Sequence, residues 1–324
     1  MKKTLILAFA LAILSTFSGK NASAQTKEEA SNAFNAALEL SKTDMAGAVV
    51  KMLDVQKMCT AVGAEADSLK MKVAKVVPVF QYNVGNSLLK EKKYDLALAA
   101  FEKSNEYATT YADDNIRTKS EDQLVKLYTF QGNALMKAGT TDEAIAYFEK
   151  ALKFDPEYSK ALYAMAQAYK KKGDNVKFQQ NMDLTIASAQ KANDTVTENA
   201  AKNSVGLFLY GEGKAAFTKK AYADAVTKLT AAQGYNYQSK ELYYLLASSN
   251  NSLKKFDEAI TAANAGLVME EQTSDKMARF YYELAKAFEG KKDNASACEN
   301  YKKSAFGTFK ASADYQMKTV LKCQ

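Results

Sequence analysis

Between Tyr128 and Pro156 the sequence YTFQGNALMKAGTTDEAIAYFEKALKFDP reads as amphipathic helix in which the apolar positions come in two sizes. Gly132, Ala144 and Ala151 sit where a larger side chain would bury more surface, and Leu135 and Phe148 supply bulk between them. The small-then-bulky pair returns as Ala97 and Phe101, Ala225 and Leu229, and Ala297 and Tyr301, with weaker forms at Phe178 and Met182 and at Ala259 and Ala263. Twelve residues earlier lies another small position, Gly85, Gly132, Ala166, Gly213, Ala247 and Ala285; seven residues later lies a third, Ser104, Ala151, Thr185, Ala232, Gly266 and Ser304. On two antiparallel helices joined by a short turn these are the points of closest approach, where only a small side chain fits. Leu88, Leu135, Tyr169 and Phe288 fill the space one turn further on.

Long segments rich in Ala, Leu, Lys, Glu and Gln, with two prolines and fourteen glycines in 324 residues, make the expected fold all-α. Intervals between equivalent positions are 47 (144 minus 97), 34 (178 minus 144), 47 (225 minus 178), 34 (259 minus 225) and 38 (297 minus 259). The sequences Thr118-x-x-Glu121 and Thr195-x-x-Glu198 have capping-box form, so the extra length is expected to start those first helices early. Residues 64–91 look similar, with a kink expected at Pro78.

Tyr128-x-x-Gln131-Gly132-x-x-Leu135, followed by Ala144-x-x-x-Phe148, Ala151 and Pro156, resembles the tetratricopeptide repeat, a helix-turn-helix of about 34 residues. Tyr128 stands for the usual Trp and Gln131 for the usual Leu. The resemblance implies a right-handed α-solenoid with repeats near residues 25–58, 78–111, 125–158, 159–192, 206–239, 240–273 and 278–311. Ala313, Met317 and Leu321 form an apolar stripe read as a terminal cap over 308–324.

Relatives with this repeat commonly receive a peptide or partner helix in a concave groove lined by two positions of each first helix. Carried over, the first of these is Tyr82, Thr129, Tyr163, Tyr210, Tyr244 and Tyr282, and the second, four residues on, is Asn86, Asn133, Gln167, Lys214, Ser248 and Lys286. A tyrosine ladder edged by amides and lysines would give contact area at low entropic cost. The same rings would alternatively cover the neighbouring repeat; the polar companion position favours the groove. The clamp with which some relatives grip a terminal carboxylate is matched only in part, since Tyr82, Asn86, Phe130, Lys160 and Ala164 occupy its places.

Composition narrows the chemistry. There is no histidine, and no cysteine pair has metal-site spacing, so the commonest general base and metal ligands are missing. Gly211-Glu212-Gly213-Lys214 lacks a preceding strand and the full phosphate-loop pattern. Neither an enzyme nor a cofactor is expected. A charged start, an apolar run over residues 4–17 and Ala22-Ser23-Ala24 form a signal-peptide pattern over residues 1–24, implying export to a periplasm or the exterior, with no integral membrane segment after cleavage. Cleavage would lower the formal charge from +7 to +4 by removing Lys2, Lys3 and Lys20. The remaining lysines are interspersed with acids rather than clustered, which speaks against nucleic acid. The lysine pairs 92–93, 219–220, 254–255 and 291–292 fall at the ends of first helices, where cations offset the carbonyl dipoles. Of Cys59, Cys298 and Cys323, the last two would meet if the final helices pack antiparallel, and small buried hydrophobes are the other reading. The expected partner is another protein or peptide held on an interaction scaffold; sugar stacking on exposed tyrosines and self-assembly are the alternatives.

Overall fold

The computed structural model describes residues 26–271 and 273–323. The leader expected over residues 1–24 lies outside them. The described residues form fifteen α-helices and no strand. Helical pairs follow one another: α1 (Lys27–Leu40) with α2 (Met45–Val62), α3 (Asp67–Lys90) with α4 (Tyr94–Thr110), α5 (Asp114–Ala138) with α6 (Thr141–Phe154), and α7 (Ser159–Lys172) with α8 (Asn175–Lys191). Then come α9 (Thr195–Thr218) with α10 (Tyr222–Gly234), α11 (Lys240–Ser252) with α12 (Phe256–Met269), α13 (Ser274–Gly290) with α14 (Asn294–Ser304), and the short α15 (Lys310–Tyr315). The chain divides into two compact units between Leu127 and Tyr128, inside α5.

The small positions do what their spacing predicts. A Cβ added to Gly132 would stand 2.4 Å from the Phe148 ring, and one added to Gly85 would stand 2.8 Å from Phe101. Both rings are fully buried, and each such burial contributes roughly 1.5–3 kcal/mol. Gly213 lies equally close to Leu229, and Gly266 lies against Phe280 of the following helix. Helix axes therefore approach only where one side chain is a single hydrogen or methyl group.

Turns between paired helices are stopped by hydrogen bonds to the last carbonyls. The Lys255 amide donates to the Asn250 carbonyl at 2.8 Å, and the Lys254 amide donates to Asn251 at 3.0 Å. This is the six-to-one and five-to-two pattern of a helix C-cap. The lysine pairs lie in these turns just past the helix ends, with Lys92, Lys220, Lys254 and Lys292 in left-handed backbone, φ 59° to 63°.

Helices α3, α5 and α9 run 24, 25 and 24 residues, so the lengthened first helices are real. Their caps differ from the expected ones. Asp113 accepts from the Ile116 amide at 3.0 Å, and Asp194 accepts from the Thr197 amide at 3.0 Å. Thr118 instead donates back to the Asp114 carbonyl from inside the helix, and Glu198 pairs with Lys202. An aspartate at the true boundary reaches the exposed amides first, and the Thr-x-x-Glu pattern is left within a formed helix. α3 continues as helix through the buried Pro78, whose carbonyl accepts from Ser104 Oγ at 3.1 Å.

In the first unit Ala30, Met52, Val55, Cys59, Val73 and Val77 form one core between α1, α2 and α3. In the second, a continuous core runs from Ala166 of α7 to Leu284 of α13. At its end Ala313 is buried beside Ala285, Ala297 and Tyr301, with Met317 and Leu321 packed against them. The last turn, Gln316–Val320, is π-helical. Cys298 and Cys323 are joined in a disulfide, and Cys59 is a buried free thiol.

Candidate functional site

Three first helices of the second unit, α5, α7 and α9, share a groove of about 710 Å³. Its apolar surface comes from Phe130, Ala134, Tyr163, Ala164, Val196 and Ala200. Phe130 is 46% exposed and Val196 is 79% exposed, so the groove presents apolar surface to solvent. Polar groups enter at Asn133 and Gln167, and Lys137 and Lys160 stand at the edge. Gln167 Nε2 donates to Ser204 Oγ at 3.2 Å, which fixes the amide and leaves its oxygen to accept from a ligand. The Tyr163 hydroxyl lies 3.2 Å from the same Ser204 oxygen, so α7 and α9 are clasped beneath the groove.

Among the described residues neither Lys137 nor Lys160 forms an ion pair with a carboxylate within 4.0 Å. Asp194 feels the charge of Lys160. Its carboxyl is nevertheless held below the usual range chiefly by the Thr197 hydroxyl and amide, with Ser159 adding to them. The groove thus offers an apolar floor, amide donors and acceptors at the middle, and net positive charge at the rim.

Of the twelve residues expected to line a groove, Asn133, Tyr163 and Gln167 meet in this one. Thr129 is a correction: it is 6% exposed and belongs to the interior of α5, because its position on that helix turns toward the packed side. Tyr210 is half-buried, its ring 5.1 Å from Tyr237, and burial, followed by the charge of Glu241, raises its hydroxyl pKa. Tyr244 stands edge-on to Phe280 and beneath the Arg279 guanidinium, 5.3 Å from its ring; burial, then Glu283, raises its pKa. Tyr282 packs on Tyr301 and Phe309. These rings serve largely as cover for the next aromatic. Lys214 is exposed, Ser248 is half-buried, and Lys286 is taken up by Glu283 at 3.1 Å.

In the first unit Tyr82 lies edge-on to Phe101, and Asn86 lines a separate polar hollow with Asn83, Ser87 and Lys90. Phe130, Lys160 and Ala164, weighed in the sequence only as clamp positions, are groove residues. Ala134, Lys137, Val196 and Ala200 carried no sequence signal, because each sits where the helical pattern expects a solvated side chain. Among the described residues no group of three or more His, Cys, Asp or Glu is placed to hold a metal ion, and no helix is long and apolar enough to cross a membrane.

Residues 132–173 match a family model described as TPR repeat, and residues 210–276 match one described as tetratricopeptide repeat. No curated protein matches the sequence. Among solved structures, a tetratricopeptide repeat protein from Parabacteroides merdae ATCC 43184 is 14% identical, covering 89% of this chain and 98% of that one, with a TM-score of 0.29. YrrB, described as a TPR protein with an unusual peptide-binding site, is 18% identical over 66% of this chain and 94% of its own, with a TM-score of 0.34. MamA from Desulfovibrio magneticus RS-1 is 19% identical over 59% of this chain and 97% of its own, with a TM-score of 0.33.

Proposed function

The chain is a tetratricopeptide-repeat protein, and from that premise we propose that it is a non-enzymatic scaffold that holds an extended, acidic peptide segment of a partner in the groove of α5, α7 and α9. The observation that supports this most is the exposure of Phe130 and Val196 beside Asn133 and Gln167. Large apolar side chains that keep much of their surface exposed, next to amides that both donate and accept, suit a peptide whose side chains enter the floor while its backbone is hydrogen-bonded. Lys137 and Lys160 select for acids in that segment, and their charge raises the rate of encounter at low salt. Preformed helices need little ordering on binding, which lowers the cost of association.

The proposal extends to location. The leader pattern supports export, and the Cys298–Cys323 disulfide supports an oxidising compartment, periplasmic or extracellular. Mass spectrometry of the protein recovered from fractionated cells tests this through the presence or absence of an N-terminus at Gln25.

Binding is tested by fluorescence anisotropy on a library of ten-residue peptides. Acidic peptides with aromatic or branched apolar residues are expected to saturate. Phe130→Ala and Val196→Asp are expected to weaken them by about tenfold, equivalent to 1.4 kcal/mol, with unchanged helical circular dichroism. Loss of the acidic preference in Lys137→Gln/Lys160→Gln completes the expected pattern. Affinity indifferent to all four substitutions overturns the groove assignment.

A further inference from the structure

The connection from α12 to α13 offers solvent the acids that the groove of α5, α7 and α9 lacks. It reads VMEEQTSD over residues 268–275, with three acids and no base. Val268 is 85% exposed, the highest value among the exposed large apolar side chains of the described residues, and Met269 beside it is 43% exposed. Glu271 and Asp275 are exposed as well. The backbone leaves the helix here: Glu270 has φ −87° and ψ 152°, and Thr273 has φ −121° and ψ 137°, both extended. An extended acidic stretch flanked by apolar side chains is the kind of segment already inferred for the groove.

The buried Glu270 holds this stretch in place. Its carboxylate bonds Lys240 at 2.8 Å and Arg279 at 2.9 Å, which ties the backbone to α11 and α13 while Met269 and Glu271 on either side face solvent. Glu271 pairs with Lys276, but both side chains are largely exposed, and an exposed pair of this kind contributes little and exchanges readily for another. Asp275 forms no ion pair within 4.0 Å among the described residues. The groove is the complement. Lys137 and Lys160 line it with no acid among its lining residues, and Phe130 and Val196 present apolar surface. A stretch that is already ordered also loses less freedom on docking.

We propose that this corner of one copy enters the groove of a second copy, so that the chain associates with itself head to tail. The inference rests on the acidic-peptide reading of the groove and names its occupant. Within one copy the corner stays tied to α11 and α13, whereas α5 and α7 belong to earlier hairpins. The contact is heterologous: every added copy brings a free groove and a free corner, and growth continues unless a ring closes.

Sedimentation velocity of the folded protein is the test. Average mass is expected to rise with concentration at about 50 mM salt, and association to weaken at least about fivefold at about 500 mM, because exposed charges are then screened. Val268→Asp is expected to leave the protein monomeric with unchanged circular dichroism, while its groove still binds the acidic library peptides as the unaltered protein does. Charge reversal gives an independent reading. Lys137→Glu/Lys160→Glu alone and Glu271→Lys/Asp275→Lys alone are each expected to stay monomeric, and an equimolar mixture of the two to associate, since each corner then meets a groove of opposite charge. An unaltered protein that is monomeric at every concentration yet binds acidic peptides overturns this inference and leaves the groove reading standing; one that also binds no acidic peptide overturns both. Association unchanged in Val268→Asp, or no recovery in the mixture, overturns the corner as the occupant.

Discussion

At the scale of single residues, two positions show opposite geometric demands. Gly132 has no room for a methyl group, because the nearest atoms belong to the fully buried Phe148 ring rather than to a flexible tip. Gly132→Ala is therefore expected to cost about 1–3 kcal/mol of stability, read as a lower urea midpoint with an unchanged slope. Lys254 presents the opposite case. Its φ of 60° is left-handed backbone, which disfavours an L side chain by roughly 1–2 kcal/mol, while glycine adopts it freely at an entropic cost of about 0.5–1 kcal/mol. Lys254→Gly is expected to raise the melting temperature by a degree or more, whereas Lys254→Ala leaves it lower than the glycine variant. A lysine in such a turn is invisible to glycine-based reading of helix stops, so the sequence suggested only its charge.

At the scale of helices, the ladder of small and bulky positions was legible because close approach leaves few residue types to choose from. Glycine facing Phe148 or Phe101 announces a contact in a way that a solvated lysine does not. Helix starts were less legible: Asp113 and Asp194 act as caps while the neighbouring Thr-x-x-Glu patterns do not, and composition alone does not rank two candidate caps a few residues apart. The groove was legible at Tyr163 and at the recurring amides Asn133 and Gln167. Phe130 and Val196 look like stray apolar residues until α5, α7 and α9 stand side by side. The half-buried tyrosines were ambiguous for a physical reason, since a ring one turn from a small residue reaches the next hairpin as readily as it reaches a ligand.

The ends of α11 and α13 are joined through Glu270, just beyond α12, which bonds Lys240 at 2.8 Å and Arg279 at 2.9 Å. Burial pushes the Glu270 carboxyl up, but Lys240, the Glu271 amide and Arg279 together outweigh it and hold it below the usual range. A depressed carboxyl contributes stability that is present above its ordinary pKa and is lost as pH falls through the folded value. Glu270→Gln is thus expected to be less stable than the unaltered protein at pH 7. The difference should shrink on acidification toward pH 3, as measured by thermal melts across that range.

At the scale of the molecule, stability in stacked hairpins is a sum of local terms and neighbour contacts, so an end needs its own fastening. Here the last hairpin is fastened covalently, because Cys298 on α14 and Cys323 beyond α15 close a loop with a sequence separation of 25. Loop-closure entropy makes such a bond worth roughly 3 kcal/mol. Cys323→Ser is expected to raise amide hydrogen exchange in α13, α14 and α15 while leaving the first unit's exchange unchanged. Uniform acceleration along the whole chain would contradict that local account.

The remaining thiol, Cys59, is 1% exposed in the core of the first unit, and burial raises its pKa above the ordinary thiol value. With the other two cysteines bonded to each other, it is the one free thiol of the oxidised protein, open to alkylation only after that core has parted. Trapping it with a maleimide would time how often α1, α2 and α3 come apart, giving the protein a stopwatch of its own for its first unit.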